Sequence, residues 1–559
     1  MSEQINGTRD KRINILAQYP VGGVAMKRLA QAALSWLEAN RQTVNALNVF
    51  PVPDGDTGTN MVLTMRSALD EIENSGEREA GKMLEKIANG ALMGARGNSG
   101  VILSQLWRGF ARGAENEEFL DGKIAARCFA EARDAAYRGV VRPVEGTILT
   151  VIKDVAEHVD QVAKDGGDVI TVIREAREAA KESVARTPDL LPILKEAGVV
   201  DSGGKGLLYI LEGMVRWIEG EQIRTPESVV QPLDSFNLEQ TMESVEEGQD
   251  YEVVVDFRPK DPLNLEKFYA DLETMGTSIQ VGEGNGMYRM HIHVPTDNRY
   301  TPIDYTMTLG TVTNVAIENL MDQMQEVGEQ ATHLNLADVE EGHIAVVAVA
   351  PGPGIARLFA GLGVAAVIEG GQTMNPSTKN IMGSFEDLPT DKIIILPNNK
   401  NITMAAEAVV ELSEKEVVVV PSISVPQGLA AMLRLIPDGE MADVVAEMKM
   451  AISEVETGEV TTATREVEID GVKVKEGQII GLHNGKLIVS SNDLLDACLS
   501  LLKAIMTEEY ELITLFYGEN LDREASQAIA DIIQEAYPEV EIEVQPGGQP
   551  HYQFIMSIE

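Results

Sequence analysis

The segment NVFPVPDGDTGTN (residues 48–60) is the most informative part of this sequence. It places Asp54 and Asp56 two positions apart, and Gly55 and Gly58 allow the backbone to turn tightly around them. In proteins, Mg²⁺ takes one or two carboxylates as ligands and keeps its other positions for water and phosphate. The segment therefore predicts a magnesium-binding loop; the alternative is a plain Asp-Gly turn on a solvated loop.

The residues that follow predict a phosphate site next to this metal. Thr57, Thr59 and Asn60 carry small hydrogen-bonding side chains, and the apolar residues 61–65 indicate the start of a helix. Thr57 or Thr59 is the expected N-cap of that helix. Free N–H groups at a helix start bind phosphate, so a metal and a phosphate are expected side by side.

A second segment, ARGNSG (residues 95–100), has the composition of a phosphate-binding turn. Gly97 and Gly100 lie on either side of Asn98 and Ser99. Free N–H groups in such a turn can cradle phosphate oxygens, and the Ser99 hydroxyl adds one more donor. The structural alternative is that Ser99 caps a helix over residues 101–107. The two interpretations are compatible, because a helix cap is itself an anion site.

Two more segments predict helix starts of the same kind. In EGTIL (residues 145–149), Thr147 is a candidate helix cap. In VDSGGKG (residues 200–206), Asp201 is a candidate partner for a ribose hydroxyl or a second helix cap. Taken alone, each segment is more typical of a structural element than of a functional one.

These four segments together resemble the dihydroxyacetone kinase L-subunit (DhaL) family. The resemblance is greatest to the branch found in bacterial fatty acid kinase, the FakA-type proteins, and it extends from about residue 27 to the end of the chain. Because four motifs match in the same order, chance is a poor explanation. The matching motifs are residues 48–60, 94–105, 145–151 and 199–207.

The resemblance implies a helical barrel that binds ATP and magnesium at one end. Asp54 and Asp56 are implied as magnesium ligands, and Asn48 stands where dihydroxyacetone kinases carry a third aspartate. A neutral side chain there weakens one metal position, so the number of ions stays open. The residues implied at the nucleotide are Thr57, Gly58, Thr59, Asn60, Gly97, Asn98, Ser99, Gly100, Thr147, Asp201, Gly203 and Gly204.

The composition argues against several classes of partner. With 88 acidic and 46 basic residues, the formal net charge of −42 repels nucleic acid and anionic lipid. ATP is also an anion, so Mg²⁺ and N–H groups must make its site locally attractive. The two cysteines, Cys128 and Cys498, form no CxxC pattern and are expected to be buried. Without an apolar signal segment or a membrane-spanning run, we expect a soluble cytoplasmic protein with no direct membrane insertion.

The hydrophobic pattern divides the 559 residues into three regions. Residues 20–220 show helical spacing, and the resemblance makes this region the all-α, DhaL-like barrel. A linker is expected over residues 220–248. Residues 250–325 predict a small α+β middle domain, with strands at 251–257 and 287–294 and helices at 265–275 and 311–325.

Residues 342–559 predict an α/β domain, which is expected to be DegV-like. Short strands rich in β-branched residues alternate with helical patterns, which is typical of a parallel sheet. Ligand or partner contacts in such sheets lie at the carboxyl ends of the strands, where residues 370–380 and 398–401 supply turns. The predicted strands are residues 343–349, 365–369, 392–397, 416–421, 512–517 and 541–544.

The middle region contains a histidine pair, His291 and His293, in the sequence HIHV. Alternation along a strand places both side chains on one face, where they can bind zinc if a third ligand is present. The alternative is a pair of strand histidines that bond to their neighbours. In the resembling family a cysteine on the preceding strand completes a metal site, and Val254 is placed at that position. Without that cysteine, the histidines are also candidates for contacting a substrate carboxylate or phosphate.

Phosphoryl transfer is the chemistry that these features favour. The sequence has no GxxxxGK[ST] and no protein-kinase HRD or DFG set. No region resembles the module that holds the ketone in dihydroxyacetone kinases. A fatty acid carboxylate is already ionised at neutral pH and needs no general base. The resemblance thus implies formation of an acyl phosphate from a fatty acid that an acyl-binding partner of the FakB (DegV-like) type presents.

The sequence is also compatible with two other functions. One is a kinase for dihydroxyacetone or another small polyol, and the other is a nucleotide-binding scaffold without activity. In the favoured function, residues 342–559 are the expected docking region for the partner. The middle region is then expected to complete the active site or to form a homodimer.

Overall fold

Helices make up most of the described residues between positions 21 and 221. This structure is a computed structural model, and it describes residues 21–49, 55–140, 142–221, 231–232, 251–261, 263–284, 287–319, 334, 336–372, 374–463, 467–469, 471–506 and 510–559. The helices are α1 (Gly23–Ala39), α2 (Arg41–Ala46), α3 (Thr57–Asp70), α4 (Ala80–Met93), α5 (Gly97–Gly113), α6 (Gly122–Arg138), α7 (Ile148–Lys164), α8 (Val169–Leu190), α9 (Pro192–Glu196) and α10 (Ser202–Ile218).

These helices surround one apolar core that extends from Val21 to Ile218. Helix α7 shows why the sequence folds in this way: Val151, Val155 and Val159 recur at every fourth position, and all three are fully buried. Cys128 is buried in the same core. The all-α fold predicted for this region is confirmed. None of the described helices is both long enough and apolar enough to cross a membrane.

The chain forms two compact units, one of Met1–Ile223 with Asn335–Glu559 and one of Arg224–Leu334. The second unit is an α+β sheet of order β1-β3-β4-β2-β5 whose apolar face packs against a helix through Phe268 and Leu272. Its elements are β1 (Gln231–Pro232), β2 (Tyr251–Pro259), α11 (Leu265–Leu272), β3 (Thr277–Gly284), β4 (Met287–Val294), a 3₁₀ turn (Thr296–Asn298), α12 (Thr301–Leu309) and β5 (Gly310–Asn319).

The helix predicted over residues 311–325 is wrong. Residues 310–319 form β5, which pairs antiparallel with β2. Val312 and Ile317 pack against the apolar core of this unit, and β-branched side chains suit a pleated surface. Residues 310–319 form a strand because they pair in register with β2. The spacing of apolar residues along the sequence does not reveal this pairing. Residues 320–325 lie outside the described part.

The C-terminal region begins with a four-stranded parallel sheet of order β7-β6-β8-β9. The four strands correspond to the first four that the sequence predicts. Its elements are β6 (Ile344–Ala350), α13 (Pro353–Gly361), β7 (Ala366–Glu369), α14 (Thr378–Gly383), β8 (Lys392–Leu396), α15 (Lys400–Leu412), β9 (Glu416–Val419), α16 (Val425–Met432) and α17 (Met441–Ala451).

A second, mixed sheet of order β14-β13-β10-β17-β15-β16 follows. The strands predicted at residues 512–517 and 541–544 are its β15 and β16, but the sequence predicted one parallel sheet and not a separate mixed one. Only β15 and β16 are parallel among its neighbouring pairs. Asn484 and Gly485, with φ of 48° and 75°, form the tight turn of an antiparallel hairpin. The remaining elements are β10 (Glu456–Thr462), β11 (Val467–Ile469), β12 (Val472–Val474), β13 (Ile479–His483), β14 (Lys486–Ser491), α18 (Leu494–Ile505), β15 (Leu512–Tyr517), α19 (Arg523–Ala536), β16 (Glu541–Pro546) and β17 (Tyr552–Ile558).

The helical region and the parallel sheet share a hydrophobic core. Ala95 and Val101, at the start of α5, are buried in one cluster with Val347 of β6, Ile381 of α14 and Ile402 of α15. This contact brings the carboxyl edge of the parallel sheet against the turn that the sequence predicts to bind phosphate.

Candidate functional site

Asp56 lies at the N-terminus of α3, between two side-chain amides. Its Oδ2 atom accepts hydrogen bonds from Nδ2 of Asn60 and from Nδ2 of Asn375, each at 2.7 Å. Two donors on one oxygen hold the carboxylate in a defined orientation, as a metal ligand requires. Asp54, the other predicted magnesium ligand, lies outside the described residues.

Neither Thr57 nor Thr59 is the N-cap of α3, so that prediction is wrong. Helix α3 begins directly after Asp56, without a side-chain cap from that residue. Instead, Oδ1 of Asn45 accepts from the N–H groups of Gly58 and Thr59, at 2.7 and 3.1 Å. A Cβ atom on Gly58 would lie 2.5 Å from the Arg41 carbonyl oxygen, so this close approach requires glycine.

Asn48 is buried at the end of the turn after α2, with 2% of its surface exposed. Its N–H group donates to the carbonyl of Asn45, the residue that holds the start of α3. Asn48 therefore belongs to the same local framework as the helix start. Its role as a metal ligand stays a prediction.

The ARGNSG turn lies against the Asp56–Asn60 pair. Gly97 has a φ of 57°, and a Cβ atom there would lie 2.5 Å from Nδ2 of Asn60. Ser99 is not the N-cap of the following helix, because α5 already begins at Gly97. Nδ2 of Asn98 contacts Oδ1 of Asn401 at 3.5 Å. Gly100, in the first turn of α5, packs against the Thr64 side chain of α3.

Asp201 joins the starts of two further helices. Its Oδ2 atom accepts from the N–H of Gly204 at 2.6 Å and so caps α10, as predicted. Its carboxylate also accepts from the N–H of Ile148, the first residue of α7. Thr147 caps α7 by accepting from the N–H of Leu149 at 3.3 Å, which confirms that cap as well.

Four helix starts therefore converge around Asp56. Helix α10 meets α3 where the Ser202 hydroxyl donates to the Thr57 hydroxyl at 3.1 Å. Gly203, beside Ser202, lies against the Ile148 side chain of α7. The N-terminus of an α-helix carries a partial positive charge and free N–H groups. The convergence of α3, α5, α7 and α10 gives this acidic chain a locally attractive place for a polyphosphate.

Burial alters the titration of Asp201. Only 5% of its surface is exposed, and burial raises the pKa of its carboxyl to about 6, against the opposing effect of the Gly204 and Ile148 N–H groups. The folded state therefore holds this proton more tightly than the unfolded state does. As the pH rises from 4 to 6, the unfolded chain releases the proton first, so the contribution of Asp201 to stability falls.

We expect the variant Asp201→Asn to become more stable relative to the wild type as the pH rises. Asparagine keeps the helix cap but has no proton to lose. The difference in the free energy of unfolding should grow by about 2 kcal/mol between pH 4 and pH 7, since one pKa unit corresponds to about 1.4 kcal/mol and part of the change already lies below pH 4. Urea titrations followed by tryptophan fluorescence measure it, because Trp36, Trp107 and Trp217 all lie in the helical region. A difference that does not change with pH would contradict the assignment.

The second unit holds a separate buried cluster. Glu252, His291 and His293 each offer a ligand atom, and these atoms lie within 4.8 Å of one another. The side chain of Glu252 approaches Nε2 of His291 at 3.1 Å. The sequence placed Val254 at the position of the family cysteine and predicted no third ligand; the structure brings Glu252, two residues earlier on β2, to the histidines. Glu252 and Val254 lie on the same face of β2, and the register sets Glu252 opposite His293.

The sequence missed several residues of both clusters. Asn45, Ser202 and Asn375 contact the Asp56 site, Asn401 contacts Asn98, and Glu252 completes the histidine cluster. Ser202, Asn375 and Asn401 lie in segments that the sequence had already indicated, residues 200–206, 370–380 and 398–401. Their contacts join distant parts of the chain, so no local motif predicts the contacts themselves. Glu252 had a weak local signal, a charged residue directly before the apolar run at residues 253–255.

Comparison with known protein families identifies all three regions. Residues 51–216 match the DAK2 domain. Residues 248–327 match the middle domain of the FakA-like proteins of fatty acid kinase, and residues 345–559 match their C-terminal domain. A protein of Staphylococcus aureus strain USA300 is 37% identical over 530 residues, which cover 94% of this chain and 96% of that protein. The chain belongs to the FakA-like family of fatty acid kinase.

Two further comparisons give the extent of the likeness. A Staphylococcus haemolyticus protein is 38% identical over 535 residues, covering 94% of this FakA-like chain and 96% of that protein. Both staphylococcal relatives are described only as uncharacterized proteins. Among solved structures, a DegV family protein from Corynebacterium glutamicum is a distant likeness with a TM-score of 0.31 and 15% identity, covering 39% of this chain and 96% of that chain. The family and the multidomain fold predicted from the sequence are confirmed.

Proposed function

We propose that this protein is an ATP-dependent kinase that phosphorylates the carboxylate of a fatty acid and produces an acyl phosphate. Membership of a kinase family supports phosphotransfer as the general chemistry. The observation that carries the proposal is Asp56, held by two amides at the point where four helix starts converge.

The residues present fit magnesium and ATP. The Asp56 carboxylate is a hard oxygen ligand of the kind that Mg²⁺ prefers, and Asp54 is its predicted companion. The start of α5 at Gly97 has no side-chain cap and offers its N–H groups to phosphate oxygens. At α3 and α10, Asn45 and Asp201 already accept from the N–H groups of Gly58, Thr59 and Gly204, so these starts contribute mainly through their helix dipoles. Bound magnesium supplies charge neutralisation for the phosphates. Phosphoryl transfer depends mainly on such positioning and charge neutralisation.

The fatty acid is the substrate that this chemistry suits best. Its carboxylate is ionised at neutral pH, so it attacks the γ-phosphorus without a general base. The bond between that phosphorus and the bridging oxygen breaks, and ADP leaves with the electron pair. Because a long acyl chain must be shielded from water, we propose a partner of the FakB (DegV-like) type that presents the carboxylate. The C-terminal region is the proposed dock, and a homodimer is the proposed assembly.

The test of this function is ATP consumption by the full chain with oleate, with and without an acyl-binding protein of the DegV type. We expect turnover only when fatty acid and carrier are both present, with acyl phosphate as the product. Turnover with dihydroxyacetone in place of oleate would favour the polyol kinase. Nucleotide binding without turnover on any of these substrates would favour a regulatory scaffold.

We also propose that Glu252, His291 and His293 hold a metal ion, with zinc as the best fit. Two imidazoles and one carboxylate form a ligand set that zinc accepts, and all three side chains are buried. A carboxylate replaces the thiolate of the resembling family as the third ligand. These histidines belong to the second unit, and their catalytic role stays a prediction.

Metal analysis of the purified protein tests this cluster. We expect about one zinc per chain in the wild type and loss of most of it in Glu252→Ala and His293→Ala, since two remaining ligands bind zinc weakly. His158→Ala is the matched control, because His158 is exposed on α7 and pairs with Glu175. Equal metal content in all four proteins would contradict the proposal.

A further inference from the structure

One residue of the C-terminal region lies inside the Asp56 site. Residues 374–377 directly precede α14, in the connection that follows β7 at the carboxyl edge of the parallel sheet. Nδ2 of Asn375 donates to Oδ2 of Asp56 at 2.7 Å. Directly after the segment, the N–H of Thr378 donates to the Ala95 carbonyl at 3.3 Å, just before the ARGNSG glycines. This part of the chain therefore contacts both candidate phosphate-binding turns.

The side-chain amide of Asn375 donates a hydrogen bond through its nitrogen, but its oxygen accepts none from the described residues. The residue is 3% exposed, and its Oδ1 atom has no hydrogen-bond partner among the described residues. An ionised Asp56 only accepts hydrogen bonds, so the amide nitrogen must face it and the oxygen must face away. A buried amide oxygen without a partner costs free energy. Such a group is expected where a ligand supplies the missing contact.

The segment is braced from both ends, so Asn375 is held in place. On one side, the N–H of Gly371 donates to the Met374 carbonyl at 2.9 Å. On the other, Ser377 and Asn380 form a reciprocal capping box at the start of α14. This support fixes the amide beside Asp56 before any ligand arrives.

The contact between Asn375 and Asp56 is not needed to hold the helical region and the C-terminal region together. Ala95 and Val101 already join the regions through apolar packing with Ile381 and Ile402. A partly satisfied buried amide adds less stability than an apolar side chain in the same place. Its position against the predicted metal ligand is the feature that needs an explanation.

We propose that Asn375 is a positioning residue of the phosphoryl-transfer site, supplied by the C-terminal region of the same chain. It acts through Asp56, whose carboxylate it orients, and its free Oδ1 receives its partner when the magnesium nucleotide binds. This inference rests on the proposed function. It assigns the C-terminal region a second role, which is to complete the kinase site in addition to docking a partner.

The test uses the full chain and two variants, Asn375→Ala and Asn375→Asp, with Lys379→Ala as the control. Lys379 is exposed in the same part of the chain. Calorimetry measures the affinity for the ATP analogue AMP-PNP at several Mg²⁺ concentrations. We expect about tenfold weaker magnesium-dependent binding for Asn375→Ala, the size of one lost hydrogen bond to a charged group, and no change for Lys379→Ala.

The aspartate variant separates a positioning role from a purely structural one. Asn375→Asp places a second carboxylate against Asp56, so its melting temperature should fall without Mg²⁺ and recover with it. The rise in melting temperature on adding Mg²⁺ should exceed that of the wild type. A structural role would not produce this dependence on magnesium.

Each outcome decides the inference. Wild-type affinity and magnesium dependence in Asn375→Ala, or a wild-type magnesium response in Asn375→Asp, would overturn it and leave the proposed function intact. If the wild type binds AMP-PNP and the variants behave as expected while oleate gives no turnover, only the choice of substrate fails. Absence of nucleotide binding by the wild type would overturn both.

Discussion

Replacing Asp56 with alanine is expected to lower ATP turnover about a thousandfold, the largest effect of any change described in this chain. The carboxylate is the proposed magnesium ligand, and loss of one preorganised electrostatic group at a transferring phosphoryl typically costs a factor of this size. The two amides that now donate to it, from Asn60 and Asn375, lose their acceptor. Stability should therefore fall by about 1–3 kcal/mol, while the helical region stays folded.

Two companion variants make this result specific. Asp56→Asn keeps an oxygen that can accept one of the amide hydrogen bonds but removes the charge, so turnover should fall nearly as far while stability stays closer to the wild type. Asp70→Ala is the matched control, because Asp70 is an exposed aspartate at the opposite end of α3. Steady-state ATP consumption and tryptophan fluorescence give both quantities. Turnover within tenfold of the wild type in Asp56→Ala would remove this residue from the metal site.

The helical half of the site follows from local sequence signals. Apolar residues at every third and fourth position predict α7, and the polar residues Thr147 and Asp201 predict the helix caps that the structure contains. The start of α3 does not follow from such signals. Its cap is Asn45, thirteen positions before Gly58, and only the fold brings that side chain to the helix.

The rest of the site depends on contacts between distant parts of the chain. Asn375 lies 319 positions after Asp56, and no periodicity connects them. The segment containing it did look like a functional turn, because glycine and small polar residues follow a predicted strand. The sequence does not show the packing of α15 against α5 and of α14 against α4, which directs that turn towards the helical region.

Strand pairing explains the remaining differences. Alternation showed that His291 and His293 share a face of β4, but the third member of the cluster depends on the register between β2 and β4. A shift of two residues separates Val254 from Glu252, and both point to the same face. Likewise, residues 310–319 form the strand β5 because their backbone pairs antiparallel with β2. Register is a tertiary property, so residue types alone do not determine it.

Replacing Gly97 with alanine is expected to lower ATP turnover about a hundredfold, because it combines backbone strain with a displaced neighbour. A φ of 57° costs an alanine about 1 kcal/mol. The added Cβ would lie 2.5 Å from Nδ2 of Asn60, so that side chain must move away from Asp56. A displacement of about 1 Å in a catalytic group can cost this factor in rate.

Gly198 provides the matched control for this prediction. Its φ of 67° is similar, but nothing lies within 4 Å of a Cβ atom built there. Gly198→Ala should therefore show the same backbone cost, about 1 kcal/mol in unfolding experiments, with turnover near that of the wild type. Both substitutions impose the same backbone strain on an alanine. The difference in ATP turnover between the two variants therefore measures the effect of the contact between residue 97 and Asn60. Equal turnover in the two variants would show that the ARGNSG turn does not hold Asn60 against Asp56.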